Sequence, residues 1–308
     1  MANVNSPVEY PLGPPTLSGT LITVDEALNS PGYITQRLSD ISLQNFLVSF
    51  IFKSSGLPVN GGAILYDQIL TNQLYTDQDV EQVAPGANFP TVTVSRAVPS
   101  VATVSKYGGK FRVTDEARRR NDVRLLENAV QQLSNTLVKK VNTLAVAALD
   151  TAIASLSGAT TFTGANSGTG GWGGVIVGGS SQTPNNKWPH ADFAHAQLLA
   201  DQAELGVTFD RWLLNPAEAS SLRIIYGAEL DLVLASFGIK IVASNRVTAG
   251  TAYVVDTQQV GFLEYEQGLN TETWREQEIE STWVQSSVRP VMGVTNPYSV
   301  VKVTGLGS

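Results

Sequence analysis

The sequence predicts an α+β fold on three observations. Residues 63 to 105 are β-rich on both sides of the turn-forming string "VAPGANFP". One helical stripe runs unbroken from Val123 to Ala148. After residue 190 helical and strand patterns alternate, and from Val260 the chain reads mostly as strand. Alternation of helix and strand indicates a mixed α/β unit beside the long helix.

Composition bounds the function. The chain has 308 residues, 43% of them hydrophobic, with a mean hydropathy of +0.01, which is enough apolar material for a sizeable core. Twenty Lys and Arg against 27 Asp and Glu give a net charge of −7 and a pI near 4.9. That balance excludes a basic nucleic-acid grip, which needs clustered cations. Only 15% of residues are charged, so much of the surface is neutral or apolar, as surface covered by partners often is. Without cysteine there is no disulfide framework, cysteine zinc site or thiol catalysis. The first residues, "MANVNSPVEYPLGPP", lack the basic-then-apolar pattern of a signal peptide, and no apolar run approaches the ~18 residues of a membrane span. The expected product is made in the cytosol and has no membrane partner.

Along the chain, Pro7, Pro11, Pro14, Pro15 and Pro31 with Gly13, Gly19 and Gly32 predict an extended arm over 1–33. Ile34, Leu38, Ile41, Phe46 and Leu47 predict one or two short helices within 34–61. Residues 62–108 read as a long hairpin with Pro85, Gly86 and Pro90 at its tip. Its second arm, Thr91 to Ser105, would reach ~50 Å at ~3.3 Å per residue, against a radius of gyration of ~19 Å for a compact chain of this length. Such a hairpin needs something else to lie on, because two strands alone are marginal in water. Pro99 requires an edge or a bulge.

The clearest element is the helix. Val123, Leu126, Val130, Leu133, Leu137, Val141, Leu144 and Ala148 are spaced 3, 4, 3, 4, 4, 3 and 4, with Asp122 or Asn121 to cap the start and Gly158 to end it. About 34 residues at ~1.5 Å each make a spine of ~50 Å.

Chemical motifs are sparse, and no catalytic residue, cofactor site or metal site is expected. "GTGGWG" (168–173) has the letters of a dinucleotide fingerprint but precedes "VIV" rather than opening a helix, and reads as a flexible loop. His190 and His195, the two histidines, fall on different sides of a helix. Glu276, Glu278 and Glu280 would share one strand face as a solvated or partner-facing ridge. Arg118, Arg119 and Arg120 are flanked by Asp115, Glu116 and Asp122, which suits local or inter-subunit ion pairs. The five tryptophans are scattered, as core or interface anchors are.

In sequence order these elements resemble the major capsid proteins of tailed bacteriophages, the Hong-Kong-phage fold shared with encapsulin shells. The strings that carry the resemblance are "EQVAPGANFPTVTVSRAV", "TDEARRRNDVRLLENAVQQLSNTL", "LLNPAEASSL", "GIKIVASNRVTAGTAYVVD" and "VRPVMGVTNPYSVVKVTG", together spanning about residues 30 to 305. The resemblance implies an N-terminal arm (1–33), a short helical segment (34–61), an extension loop (62–108), a peripheral domain with the spine helix (109–158 and 263–308) and an axial domain (159–262). It implies a structural protein of the virion, not an enzyme. Its pentamers and hexamers would close into an icosahedral shell that encloses double-stranded DNA without sequence-specific binding. The alternative is an encapsulin-like nanocompartment subunit. Implied partners are identical copies, a portal and decoration proteins. Because the resemblance begins near residue 30, a cleaved scaffolding region is not implied, and scaffolding is expected from a separate protein or not at all. Some relatives cross-link through a hairpin lysine, but no Lys lies from Ser54 to Ser105, so noncovalent contacts are expected. Val83, Phe89, Arg96, Arg118, Arg119 and Arg120 are the expected inter-subunit contacts, and Gly250 an expected turn beside the symmetry axis.

Overall fold

A computed structural model describes residues 24–45, 47–56, 59, 61–69, 75–94, 98–157 and 159–307. Expectations for residues 1–23, Phe46, Arg96 and Gly158 fall outside these.

Two helices, α1 (Val24–Asn29) and α2 (Pro31–Asn45), come first. The arm expected through residue 33 is therefore helical from Val24 onward. Pro31 misdirects the sequence reading: at the first helical position the missing N–H would have had no partner, so proline starts a helix there. Next come β1 (Ala63–Gln68), β2 (Val98–Thr103), β3 (Tyr107–Thr114) and α3 (Asp115–Arg119).

The spine, α4, spans Val123–Ser155, 33 residues. The Asp122 side chain accepts from the Leu125 amide at 3.2 Å, and the chain leaves the helix through Ser157 in the left-handed region at φ 51°. The buried face starts as expected, with Leu126, Val130, Leu137 and Val141. It then moves to Ala145, Leu149 and Ile153 and leaves Leu144 and Ala148 half-buried. Steps of four advance slightly more than one 3.6-residue turn, so the face rotates along the helix. The rotation follows a change of partner: the first half packs on α1, α2 and the β3 sheet, the second on Leu47, Val48, Ile51 and the sheet beyond. Two buried polar side chains fix these partners. Ser134 donates to the Leu38 carbonyl at 3.3 Å, and Asn142 accepts from the Leu47 amide at 3.0 Å.

The remaining elements are β4 (Thr161–Thr163), α5 (Pro189–Gln202), β5 (Arg211–Leu214), α6 (Pro216–Tyr226), α7 (Leu230–Phe237), β6 (Lys240–Ala243), β7 (Ala252–Val255), β8 (Gly261–Glu276), β9 (Ser281–Val294) and β10 (Val300–Thr304). They form a mixed sheet of order β4-β10-β7-β5-β6 and an antiparallel sheet of order β3-β9-β8, while β1 and β2 pair alone. The expectation that residues 263–308 stay together in a peripheral unit fails at its end. β9 stays with β3 and β8, but β10 crosses into the five-stranded sheet between β4 and β7. Val300, Val301 and Val303 are all buried there. A short, almost wholly apolar strand suits a central position covered on both faces.

Spine and mixed sheet are joined by one carboxylate. Asp150 Oδ1 accepts from the buried Tyr253 hydroxyl at 2.8 Å and from Lys302 Nζ at 2.7 Å. Burial, with the Asp150 bond and charge added, drives the Tyr253 pKa far above its ordinary value, so the phenol stays a proton donor. No described helix is long and apolar enough to cross a membrane.

Asp150→Ala would leave that hydroxyl buried without its acceptor, and is expected to lower subunit stability by about 1–3 kcal/mol. Tyr253→Phe, which removes donor and desolvation cost together, should cost less. Urea unfolding of unassembled subunits measures both.

Candidate assembly interface

The side chains that could have carried chemistry have structural partners. His190 Nδ1 lies 2.9 Å from the Tyr226 hydroxyl, whose pKa burial pushes up to about 12, and His195 meets the edge of Phe162 at 4.4 Å. The glycine-rich run is a packed loop, contrary to expectation. Trp172 within it is 1% exposed, its Nε1 donates to Asp192 Oδ2 at 2.7 Å, and a Cβ on Gly171 would stand 2.1 Å from the Leu306 carbonyl oxygen. Burial raises the Asp192 pKa against the opposing bonds from the Ala165 amide and Trp172. Glu276, Glu278 and Glu280 do not share a strand face, because β8 ends at Glu276 and the other two lie in the turn to β9. Among the described residues no group of three or more His, Asp or Glu could hold a metal ion.

The hairpin has the geometry of a docking arm. β1 and β2 pair from Ala63↔Thr103 to Gln68↔Val98. Alternation puts Ile64 and Ala102 on one face, where they pack against Phe262 and Val291, with Tyr66 edge-on to Phe262 at 5.4 Å. Leu65 and Val101, paired across the ribbon, point the other way and are 69% and 59% exposed. Sequence reasoning missed this pair. Its signal is "AILY", where consecutive apolar residues leave neither face polar.

Beyond Gln68 and Val98 the described chain has no ladder, so the strand expected over Thr91–Ser105 is six residues long. A two-stranded ribbon persists only where other elements back it, and β8 and β9 back only its root. The outer limbs are tied by the Asp77 amide to the Thr93 carbonyl at 3.0 Å and by Thr93 Oγ1 to Asp77 Oδ2 at 3.0 Å. The tip is a turn in which the Ala87 amide donates to the Ala84 carbonyl at 3.0 Å. Pro85 and Gly86 occupy its centre, and Gly86 takes φ +88°, as a type II turn requires. Val80 and Phe89 are 80% and 84% exposed, and Val83 is half-buried.

A second carboxylate fixes the approach to the hairpin. Glu264 Oε1, on β8, accepts from Ser54 Oγ at 2.9 Å, Ser55 Oγ at 3.0 Å, and the Ser55 and Gly56 amides at 2.6 and 2.8 Å. Burial alone would raise its pKa, but the bonds from Ser54, Ser55 and Gly56 outweigh that and lower it.

The arginine cluster divides. Arg118 pairs with Asp25 of its own chain, a local ion pair to α1. Arg119 and Arg120 are exposed. The Glu116 pKa is lowered by its own amide and the Thr114 side chain, then by these two arginines. Gly250 does form a turn, at φ 78°, with Thr251 N donating to the Thr248 carbonyl at 3.1 Å. Its amide donates to Glu218 Oε1 at 2.7 Å, and its carbonyl accepts from the Leu306 amide at 2.9 Å.

Residues 97–303 match a family profile described as phage capsid protein. The chain belongs to the phage capsid protein family. Its role is that of a structural component of the virion capsid. Solved structures share the Hong-Kong-phage fold at low identity. A virus-like particle from Pyrococcus furiosus is 15% identical, with a TM-score of 0.58 over 88% of this chain and 97% of that one. A chain from Mycobacterium phage Cain is 14% identical at 0.59, covering 85% and 90%. The capsid of Myoviridae phage XM1 is 12% identical at 0.57, covering 86% and 91%. No curated protein sequence matches this capsid chain.

Because the folded-state pKa of Glu264 is depressed, its contribution is present above the ordinary value of 4.5 and is lost as pH falls through the lowered one. Amide exchange at Ser55 and Gly56 is expected to accelerate in Glu264→Gln at neutral pH. In the parent chain the same acceleration should appear only in acid.

Proposed function

We propose that this chain assembles as pentamers and hexamers that close into an icosahedral shell around double-stranded DNA. The observation that carries the reading is the hairpin, whose root is docked while Phe89, Val80, Leu65 and Val101 lie outside the chain's own core. Apolar side chains in that number on one projecting arm are covered by an identical copy. Head-to-tail contact of an arm with a different surface on the next copy builds rings, as capsomers require, and many weak contacts add through multivalency.

In this reading the five-stranded sheet with α5–α7 forms the axial unit, and the Gly250 turn lies beside the symmetry axis. The spine helix and the β3-β9-β8 sheet form the periphery. Val83, Phe89 and Arg96 of the extension contact a neighbour, as do Arg118, Arg119 and Arg120 at the base of the spine. Scaffolding comes from a separate protein or is not used, and portal and decoration proteins complete the particle. The chain is made in the host cytoplasm. A net charge of −7 suits a wall that encloses DNA without holding it tightly. The likeness in fold to a virus-like particle keeps a protein-filled compartment as the second reading, and nucleic-acid content of purified particles separates the two.

Phe89→Asp is expected to give subunits with unchanged circular dichroism and no particles by negative-stain microscopy. Normal particles from that variant would remove the hairpin tip from the interface. Parent particles boiled in SDS should run as a single monomer band, and a ladder would show covalent links.

A further inference from the structure

A cleft of about 430 Å³ opens where the middle of α4 meets the turn at 47–50 and the end of β6. Leu47, Val138 and Val242 form its apolar wall, and Phe50 stands half-exposed at its rim. Its charged side chains are Lys139 and Arg246, and no Asp or Glu lines it. Among the described residues neither cation forms an ion pair. On a chain with 27 acidic and 20 basic residues, two unopposed cations over an apolar wall are a local reversal of sign.

The extension has the opposite character. The extension (62–108) carries Asp67, Asp77, Asp79 and Glu81 against Arg96 and Lys106, and three of its four acids are gathered in its outgoing limb. Asp77, Asp79 and Glu81 fall within five residues of one limb, with the exposed Val80 among them. All four are exposed, so this limb does not fill its own chain's cleft.

We infer that the cleft walled by α4, the 47–50 turn and the end of β6 receives the acidic limb Asp77–Glu81 of a second copy's extension, with Lys139 and Arg246 facing its carboxylates. The inference rests on the shell reading and deepens it by naming the receptor. Opposite patches on otherwise acidic subunits orient the encounter and fix its register, while Phe50 offers an apolar contact to Val80 of the limb. A volume of this size accommodates a few side chains rather than a whole domain. Two cations are also too few for a phosphate-backbone grip, which neutralises several phosphates at once.

The test uses the full chain, co-expressed with its gene neighbours where particles require them. Lys139→Glu with Arg246→Glu should cut particle yield at least ~tenfold, because a small loss at each contact multiplies around a shell. Asp79→Lys with Glu81→Lys should do the same, and all four changes in one chain should restore particles. Circular dichroism of the subunits separates loss of assembly from loss of fold. The cysteine-free sequence allows an independent readout: assembled Glu81→Cys/Asn245→Cys particles treated with a short bismaleimide should give a ladder of linked chains in SDS. Unchanged yield after the cleft reversal in the parent background, with Phe89→Asp alone still blocking assembly, would overturn the receptor and leave the shell reading standing. Intact shells that merely lose DNA would overturn it too, and assign the cations to the genome. Lack of any shell-sized particle from the parent chain would sink both.

Discussion

The structure depends on a constraint of β geometry: a two-stranded ribbon has two faces and can lay only one on its own subunit. Ile64 and Ala102 occupy the covered face against Phe262 and Val291, which leaves Leu65 and Val101 facing outward. Farther out neither face is covered and the ladder ends. Among the described residues, the limbs are joined to each other by a turn at Pro85 and Gly86 and by the Asp77 and Thr93 bonds. An arm so built has little reason to keep one conformation alone, and every reason to adopt one against a partner. Its root must then be rigid, or order gained at the tip would not be transmitted. The Glu264 carboxylate, gathering four donors from the approach to β1, and the Lys53 bridge to Phe262 provide that rigidity.

Behind the root, the spine helix makes one body of parts that could otherwise have been separate domains. Its buried face rotates so that one half serves α1, α2 and the β3-β9-β8 sheet and the other half serves the mixed sheet. A single hydrophobic cluster runs from Leu47 through Leu149 to Val255, Val288 and Val300. Polar ties at Ser134, Asn142 and Asp150 fix the helix against sliding. Apolar contacts alone tolerate slippage by a turn, whereas a buried hydrogen bond has one register. In the proposed shell, a subunit whose arm meets a neighbour at a set angle needs that definition.

What could be read in the sequence follows from the same physics. The spine was legible because periodicity is local and its cap, Asp122, sits beside the first apolar residue. The tip turn was legible because Pro and Gly at adjacent positions dictate backbone angles. The crossing of β10 was hidden, because "VVKVT" says that a strand is buried but not which sheet buries it; the strand that receives it, Ala252–Val255, lies far upstream, with the whole β8-β9 hairpin in between. The start of α1 was hidden behind proline, which marks a helix entry as readily as a loop. The local partner of Arg118 was hidden for the same reason, since Asp25 lies on that helix. The cleft was invisible, since Phe50, Lys139 and Arg246 become neighbours only after the spine and mixed sheet meet.

The distribution of charge completes the picture. An acidic chain resists indiscriminate contact with its own copies, because like surfaces repel at every wrong orientation. Such repulsion is useful in a subunit with exposed valines and a phenylalanine on a long arm, which in a neutral protein would invite aggregation. In the proposed assembly, attraction is confined to places where the sign reverses, such as Lys139 with Arg246 and Arg119 with Arg120. Individually these exposed pairs are worth ~0–1 kcal/mol, too little to trap a misplaced subunit. Repeated around the proposed ring they would suffice, and their weakness would let an incorrectly seated copy leave before the ring closes.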